Sequence, residues 1–301
     1  MLDVIALVVT YKRKELLTQV LKSLLGQTHR LKKVIVVDNN SNDGTDIIVD
    51  EFSRDHQDVF EYYNTGANLG GAGGFSYGFR LLKDRDYHAL WLMDDDLMPA
   101  SDCLEKLLTC PQGDIIQPLR TNKDGSLAEL APIQFDLDDF LTISPKKENV
   151  SQYINRTGLN SGAIKIAGVP FEGPLIKKTV VDQVGIPDAR FFIFYDDMDY
   201  SLRSTELGFT IFCEPSAKAT RLLNNNQKND LSSWKGYFML RNLFRLYFIH
   251  GKNPLTKCKP FILAFGYCFL SLLRFKFSEA RICLAALRDS LTFKTNQKYI
   301  P

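Results

Sequence analysis

The sequence is poor in the residues that build metal cages or disulfide frameworks. Its six cysteines, Cys103, Cys110, Cys213, Cys258, Cys268 and Cys283, include no C-x-x-C pair. Its four histidines, His29, His56, His88 and His250, include no H-E-x-x-H. These absences argue against a zinc site and a disulfide scaffold, and most of the cysteines, set in apolar runs, read as buried thiols. Neither charge sign dominates: 37 Lys and Arg face 35 Asp and Glu, a formal net charge of +2. That balance argues against nucleic acid as a partner. With 45% hydrophobic residues, 12 prolines and 19 glycines in 301, the chain is neither collagen-like nor disordered. It is long enough to bury a core without staples. The start, MLDVIALVVTYKRK, has no basic segment before its apolar run, and the run is too short for a secretory signal. A cytoplasmic protein is expected.

What is present has a clear rhythm. Val4–Val9 is a continuous β-branched run, and Leu16, Leu17, Val20, Leu21, Leu24 and Leu25 follow at helical spacing. Val34–Val37 predicts a second strand ending at Asp38, Thr45–Phe52 a helix and Val59–Tyr63 a third strand. Phe75–Leu82 predicts another helix and Ala89–Met93 a fourth strand. Continuous apolar strands alternating with helices describe a mostly parallel sheet covered on both faces. Ligands bind such sheets beyond the carboxyl ends of the strands. The polar clusters Thr10–Arg13, Asp38–Gly44, Asn64–Gly74 and Asp94–Asp96 fall there.

The rhythm breaks over residues 119–160, which read as an irregular or hairpin insertion. Trp234–Ile249 predicts a helix, with Tyr237, Leu240, Arg241, Phe244 and Phe248 at three-to-four spacing. Beyond Gly251 the composition changes. Nine Lys and Arg stand against only Glu279 and Asp289, so residues 251–301 carry +7 and the remainder −5. Within this tail Pro260–Leu273 is almost wholly apolar. Fourteen residues fall short of the about 20 that cross a bilayer as a helix, but a basic, aromatic helical segment can lie in a membrane interface. Packing on the body of the protein or on a partner subunit, hence an oligomer, is the competing expectation.

Three motifs carry chemistry. Trp91–Asp96 reads W-L-M-D-D-D, three carboxylates at a strand end. Such a group repels itself unless a cation compensates, and carboxylates suit Mn²⁺ or Mg²⁺. If the segment stays extended, Asp94 and Asp96 share a side and the metal, and Asp95 meets the nucleotide. A solvated acidic turn capping the next helix is the plainer reading. The second motif, N-L-G-G-A-G-G-F over 68–75, is rich enough in glycine for close backbone approach to a phosphate at a helix N-terminus. It matches neither a dinucleotide fingerprint nor a Walker loop, and a flexible loop explains it as well. The third, F-F-I-F-Y-D-D-M-D-Y-S-L-R over 191–203, puts Asp196 and Asp197 at the start of a helix. They are either capping residues favoured by the helix dipole or include a general base.

V-V-T-Y-K-R, S-L-L-G-Q-T, V-V-D-N-N-S-N-D-G-T, N-L-G-G-A-G-G-F, W-L-M-D-D-D and F-Y-D-D-M-D-Y-S-L-R occur in this order. Together they resemble inverting glycosyltransferases of family 2, over about residues 3–250. The glycine segment and the D-D-D variant resemble the bacterial galactofuranosyltransferase and rhamnosyltransferase branch. The resemblance implies an α/β GT-A fold, Rossmann-like, with a mostly parallel central sheet flanked by helices and a helical C-terminal extension. It divides the chain into a catalytic domain at 1–250, with a nucleotide-sugar half (1–118) and an acceptor half (119–250), and the tail at 251–301.

By position, the resemblance implies that Thr10 and Arg13 line the nucleotide and that Asp38, with Asn40 beside it, holds the uracil or ribose edge. Asn68, Gly71 and Gly73 would border the donor sugar and diphosphate. Asp94 and Asp96 would hold Mn²⁺ or Mg²⁺ with Asp95 next to the nucleotide. Asp197 would be the catalytic base and Asp196 a contact to the acceptor hydroxyl. The expected donor is a UDP-sugar, or else a dTDP-sugar. The expected acceptor is a saccharide, lipid-linked at the inner face of the cell membrane, in surface polysaccharide synthesis such as O-antigen assembly. One departure stands out. Galactofuranosyl polymerases place a metal-binding His after the second acidic cluster, whereas Ala219-Thr220-Arg221-Leu222-Leu223-Asn224 has none. Water, an Asn or the charge of Arg221 would then have to compensate. A sugar-nucleotide nucleotidyltransferase is a rival reading, but it wants a glycine-rich basic loop where this chain has T-Y-K-R-K-E. A non-catalytic assembly subunit is the other.

Overall fold

The computed structural model describes residues 2–56, 59–159, 162–223, 231 and 233–301. The first half alternates as expected: β1 (Val4–Thr10), α1 (Lys14–Leu25), β2 (Lys33–Asp38), α2 (Thr45–Asp55), β3 (Phe60–Asn64), α3 (Gly70–Leu82) and β4 (Ala89–Asp94). There follow β5 (Leu97–Pro99), α4 (Cys103–Thr109), β6 (Ile115–Thr121), α5 (Val150–Thr157), β7 (Ile164–Lys165), β8 (Leu175–Lys177) and α6 (Lys178–Val184). The chain closes with α7 (Asp196–Glu206), β9 (Ile211–Arg221), α8 (Trp234–His250), α9 (Pro254–Leu273) and α10 (Phe277–Thr292).

The strands form one sheet in the order β3-β2-β1-β4-β8-β6-β9-β5, with β7 also paired to β9. The pairs β1–β2, β1–β4, β2–β3 and β6–β9 are parallel. Those made by β8, β5 and β7 are antiparallel, so parallel pairing dominates among β1–β4 and not among the later strands. The unbroken apolar runs follow from burial on both faces. Ile5, Leu7 and Val9 pack on Phe75, Phe79 and Leu82 of α3, while Val4, Ala6 and Val8 pack on Leu17, Val20, Leu21 and Leu24 of α1. The expected insertion over 119–160 begins later than its bounds, because residues 119–121 still belong to β6; beyond them the chain is irregular and hairpin-like, tied by isolated bridges Pro132–Asn149 and Phe135–Lys146, and leads into α5.

Two expectations change. The glycines at 70–74 are not a loop: they form the first turns of α3, which begins at Gly70 rather than Phe75. The apolar tail segment is part of the 20-residue α9, six residues longer at its N-terminal end. Its start is set by Asn253, whose side chain accepts from Thr256 N–H, with Pro254 in the first turn. The cysteines are all free: Cys103, Cys213 and Cys283 are buried, and Cys258 is exposed on α9.

Candidate active site

The acidic triplet leaves β4 at its carboxyl end, and each member has a different fate. Asp95 turns toward the loop after β1. It accepts from Thr10 Oγ1 at 2.9 Å, Tyr11 N–H at 3.3 Å and Arg13 Nη1 at 3.1 Å. Asp96 also reaches Arg13 Nη1, at 3.3 Å. Asp94 has no hydrogen-bond donor among the described residues, and burial pushes its carboxyl well above the usual range, reinforced by Glu172, Asp96 and Asp95. Asp96 is pushed up to about 6 by burial and by Glu172.

Glu172 is the residue that sequence reasoning missed. The segment Glu172–Pro174 runs beside β4: Gly173 N–H donates to Leu92 O at 2.9 Å, Leu92 N–H to Pro174 O at 3.0 Å and Trp91 Nε1 to Gly173 O at 2.8 Å. Gly173 is required there, because its φ is +99° and a β-carbon would strike Leu97 and Pro118. This register places the Glu172 carboxylate between the two acidic motifs, where it raises Asp94, Asp96 and Asp197 alike. Its own counter-ions are Arg120 and Arg221. The available signal was a lone acid inside the apolar run V-P-F-E-G-P-L-I.

Asp197 opens α7 and lines a cavity of about 300 Å³ together with Glu172, Arg120, Arg221, Lys146 and Tyr195. Met198 N–H donates to its Oδ1 at 2.7 Å. Burial nevertheless pushes its pKa up to about 6, against that bond and the charges of Arg120 and Lys146. Asp196 is 8% exposed, and burial followed by the charge of Asp197 raises it well above the ordinary range.

The loop before α7 is strained: Phe192, Phe194 and Tyr195 have φ of 62°, 66° and 66°, a region non-glycine residues enter at a cost. Two buried side chains of α8 hold it. Asn242 Nδ2 donates to the carbonyls of Phe191, Ile193 and Phe194 at 3.0, 2.7 and 2.9 Å. Arg241 donates to Arg190 O and Phe191 O and, from Nη1, to Lys294 O and Thr295 Oγ1 beyond α10.

The glycine segment braces the same loop. Ala72 N–H donates to Phe192 O at 3.1 Å, and a β-carbon on Gly70, whose φ is +69°, would run into that carbonyl. A β-carbon on Gly73 meets Leu69, and one on Gly71 meets open space. Of the two glycines expected at the donor, only Gly71 therefore leaves room for a ligand. Asn68 accepts from Gly70 N–H and shapes the start of α3.

The other nucleotide-side residues divide similarly. Arg13 is half exposed and open to a ligand. Thr10 is 1% exposed and serves Asp95 from behind instead of lining a pocket. Asp38 is also 1% exposed, with Oδ1 accepting from Ser41 N–H and its hydroxyl and Oδ2 from Tyr62 at 2.7 Å. Its Oδ2 keeps one acceptor position beside Tyr62, but at 1% exposure a ribose or base would reach it only after neighbouring side chains move. Asn40 sits at φ 63° in the turn after β2. Its neighbour Asn39, which the motifs did not single out, reaches Gly70 O at 3.0 Å.

Among the described residues no group of three His, Cys, Asp or Glu is arranged as a metal cage. Asn224, one candidate to complete a metal's coordination, lies outside the described residues. The donor set still fits a hard cation: Asp94 and Asp96 lie in excess negative charge, and Mg²⁺-type ions are held by one or two carboxylates plus substrate phosphates.

A parallel βαβ half ending in an acidic triplet, joined to a mixed half carrying a second acidic pair, is the architecture of GT-A glycosyltransferases. Over 98% of this chain the fold is similar to a mannosyltransferase from Pyrobaculum calidifontis solved with GDP-Man and Mn²⁺ (TM-score 0.56, 15% identity, 90% of that chain). It is also similar to S. aureus TarS 1–349 in complex with UDP-GlcNAc (TM-score 0.58, 15% identity, 97% of this chain and 82% of that one). Residues 5–153 match the Glycosyl transferase family 2 profile, and the chain belongs to that family.

Among curated relatives, the galactofuranosyltransferase GlfT1 of Mycolicibacterium smegmatis is 31% identical over 215 residues. The match covers 68% of this chain and 66% of GlfT1, just under two thirds of the relative's length. The galactofuranosyltransferase GlfT2 of Mycobacterium tuberculosis is 27% identical over 202 residues, 62% of this chain and 31% of the relative.

Proposed function

We propose that this chain is an inverting glycosyltransferase that moves a sugar, galactofuranose in the first instance, from a nucleoside-diphosphate donor to a hydroxyl of a saccharide acceptor. One observation carries the reading: Glu172 lines a cavity together with Asp197, and its charge also acts on Asp94 and Asp96, which stand outside that cavity's wall, so the two acidic motifs, about 100 residues apart in sequence, share one charged environment. The galactofuranosyltransferase relatives support the sugar class. The loop after β1 lacks the glycine-rich basic sequence a nucleotidyltransferase would use.

The mechanism follows from the groups present. Met198 N–H occupies Oδ1 of Asp197, and no donor among the described residues takes Oδ2. That oxygen receives the proton of the acceptor hydroxyl as its oxygen attacks the anomeric carbon. Attack from the side opposite the departing diphosphate inverts the configuration. Arg13 and Asp95 order the loop after β1 on the nucleotide side. Asp94 and Asp96 would hold Mn²⁺ or Mg²⁺, which when bound supplies positive charge to the diphosphate. UDP affinity in Mn²⁺ buffer, measured by calorimetry, is expected to fall on the order of 10²-fold in the Asp94→Asn, Asp96→Asn double variant, several kcal/mol being the usual worth of such a cation. Equal affinity for the variant and the wild type excludes this assignment.

We further infer that the tail brings the enzyme to a lipid-linked acceptor by lying on an anionic membrane surface. One face of α9 packs inward through Thr256, Lys259, Ala264 and Ser271. The opposite face exposes Phe261, Ile262, Phe265 (75%) and Phe269, continued by Phe275 (80%). Exposed Lys257, Arg274, Lys276 and Arg281 frame it. By length and composition α9 could also cross a bilayer, but half-packed with a cationic frame it suits the interface. In co-sedimentation with vesicles containing phosphatidylglycerol, Phe265→Ser with Phe269→Ser should weaken binding about tenfold or more, since each ring contributes at least about 1.5 kcal/mol on leaving water. Undiminished binding would refute the interfacial role of this face.

A further inference from the structure

Two arginines flank Glu172, and they are not equivalent. Arg120 is engaged at all three nitrogens: Nε and Nη2 reach the two oxygens of Glu129 at 2.8 Å each, and Nη1 reaches Glu172. Arg221 is also buried, its side chain 9% exposed, yet its ion-pair contact is a loose 3.6 Å from Nη2 to Glu172 Oε1. Its Nε is buried without a hydrogen-bond partner among the described residues. A buried guanidinium donor left unmatched is costly, and the residue that carries it lines the cavity that holds Asp197.

Its backbone explains the placement. Arg221 is the last residue of β9, opposite Leu97 of β5, and the next residue, Leu222, donates its N–H to Asp96 O at 2.7 Å. The guanidinium therefore stands between the acidic triplet, where its charge is felt by Asp96, and the wall carrying Asp197. The two other basic side chains on that wall are engaged, Arg120 as above and Lys146 through its bond to Leu130 O.

We propose that Arg221 is an anion-binding catalytic residue: its guanidinium N–H groups donate to the β-phosphate of the nucleoside diphosphate and take up its charge as the sugar departs. This rests on the glycosyl-transfer reading above and adds a residue to it. In the step, the acceptor oxygen forms the new bond to the anomeric carbon. The bond from that carbon to the β-phosphate oxygen breaks with its electron pair on the phosphate, and the acceptor's proton goes to Asp197. The charge gathering on the phosphate meets a planar fork that is already desolvated. The loose contact to Glu172 is given up in exchange.

The test compares UDP with UMP, which lacks the β-phosphate, by calorimetry in EDTA. The wild-type chain should prefer UDP by about tenfold or more, the usual worth of a charge-assisted pair. Arg221→Gln should bind the two within about twofold, and Arg221→Lys, keeping charge without the fork, should fall between. Turnover of Arg221→Gln in Mn²⁺ should drop with KM for the acceptor unchanged. If Arg221→Gln does not fold, as judged by its melting curve, the wild-type ratio and the Lys variant decide. A wild-type preference absent in EDTA, or one that survives in Arg221→Gln, overturns the role of Arg221 while leaving glycosyl transfer standing. Failure of the wild-type chain to bind UDP, dTDP or GDP at all overturns the donor assignment and the role of Arg221 together.

Discussion

Asp197→Asn lowers turnover by a factor on the order of 10² to 10⁴, with donor affinity nearly unchanged. The proposed base is lost, but the amide keeps an oxygen to accept Met198 N–H, and the groups proposed for the nucleotide lie elsewhere. In the wild type the acid limb of the pH–rate profile should fall below about pH 6, where the carboxyl takes up its own proton. The Asn variant, lacking that proton acceptor, should lose this limb. Stability should move the opposite way to activity. Burial and neighbouring carboxylates raise Asp197, so the native state binds a proton that the unfolded state has released between about pH 4 and 6, and stability declines as pH rises through that window. Removing the charge therefore raises the melting temperature at pH 7.5 and relieves Asp196, whose carboxyl the Asp197 charge pushes up. A variant both inactive and less stable would mean that Asp197 is a structural cap. Parallel loss of UDP binding would show that it belongs to the donor side.

Glu129→Ala is expected to have the largest effect on folding. Glu129 is fully buried, grips Arg120 through two hydrogen bonds of 2.8 Å and accepts from Ala131 N–H at 2.9 Å. Removing it leaves the Arg120 guanidinium, 2% exposed, with half its partners gone. Breaking one side of a buried pair costs about 3–5 kcal/mol, which in a chain of this size lowers the melting temperature by roughly 10 °C. Exchanging both partners, Arg120→Met with Glu129→Leu, should recover much of the stability, because well-packed apolar residues replace such pairs at little cost. It should not recover activity, because Glu172 then loses its closest counter-ion at the meeting point of the two acidic motifs. A double variant as unstable as the single one would indicate that the pair acts through shape and not through charge.

The parallel half was legible because its strands are buried on both faces and so lack polar interruptions; β1, β2 and β4 begin and end within a residue of the expected positions. Asp197 and the acidic triplet were legible because carboxylates are rarely clustered beside apolar strands without a reason. Glu172 was not, since its importance lies in a register set by Trp91, Leu92 and Gly173 across the sheet. Sequence spacing carries no trace of that. The glycines of α3 misled in a specific way. Their density is real, but at Gly70 it admits a carbonyl of the chain itself, so the close approach expected of a phosphate is made by Phe192. Thr10 and Asp38 spend side-chain hydrogen bonds on Asp95 and Tyr62, partners that their sequence positions do not reveal.

The bonds from Arg241 to Lys294 and Thr295 give the end of the chain a duty beyond wherever α9 rests. The same arginine, with Asn242, grips the twisted peptide run from which Asp197 projects. Trimming the last helix to obtain a better-behaved protein would thus unfasten the proposed proton acceptor from behind. Shortened forms, however well they express, should report an enzyme that grips its nucleotide and seldom turns over.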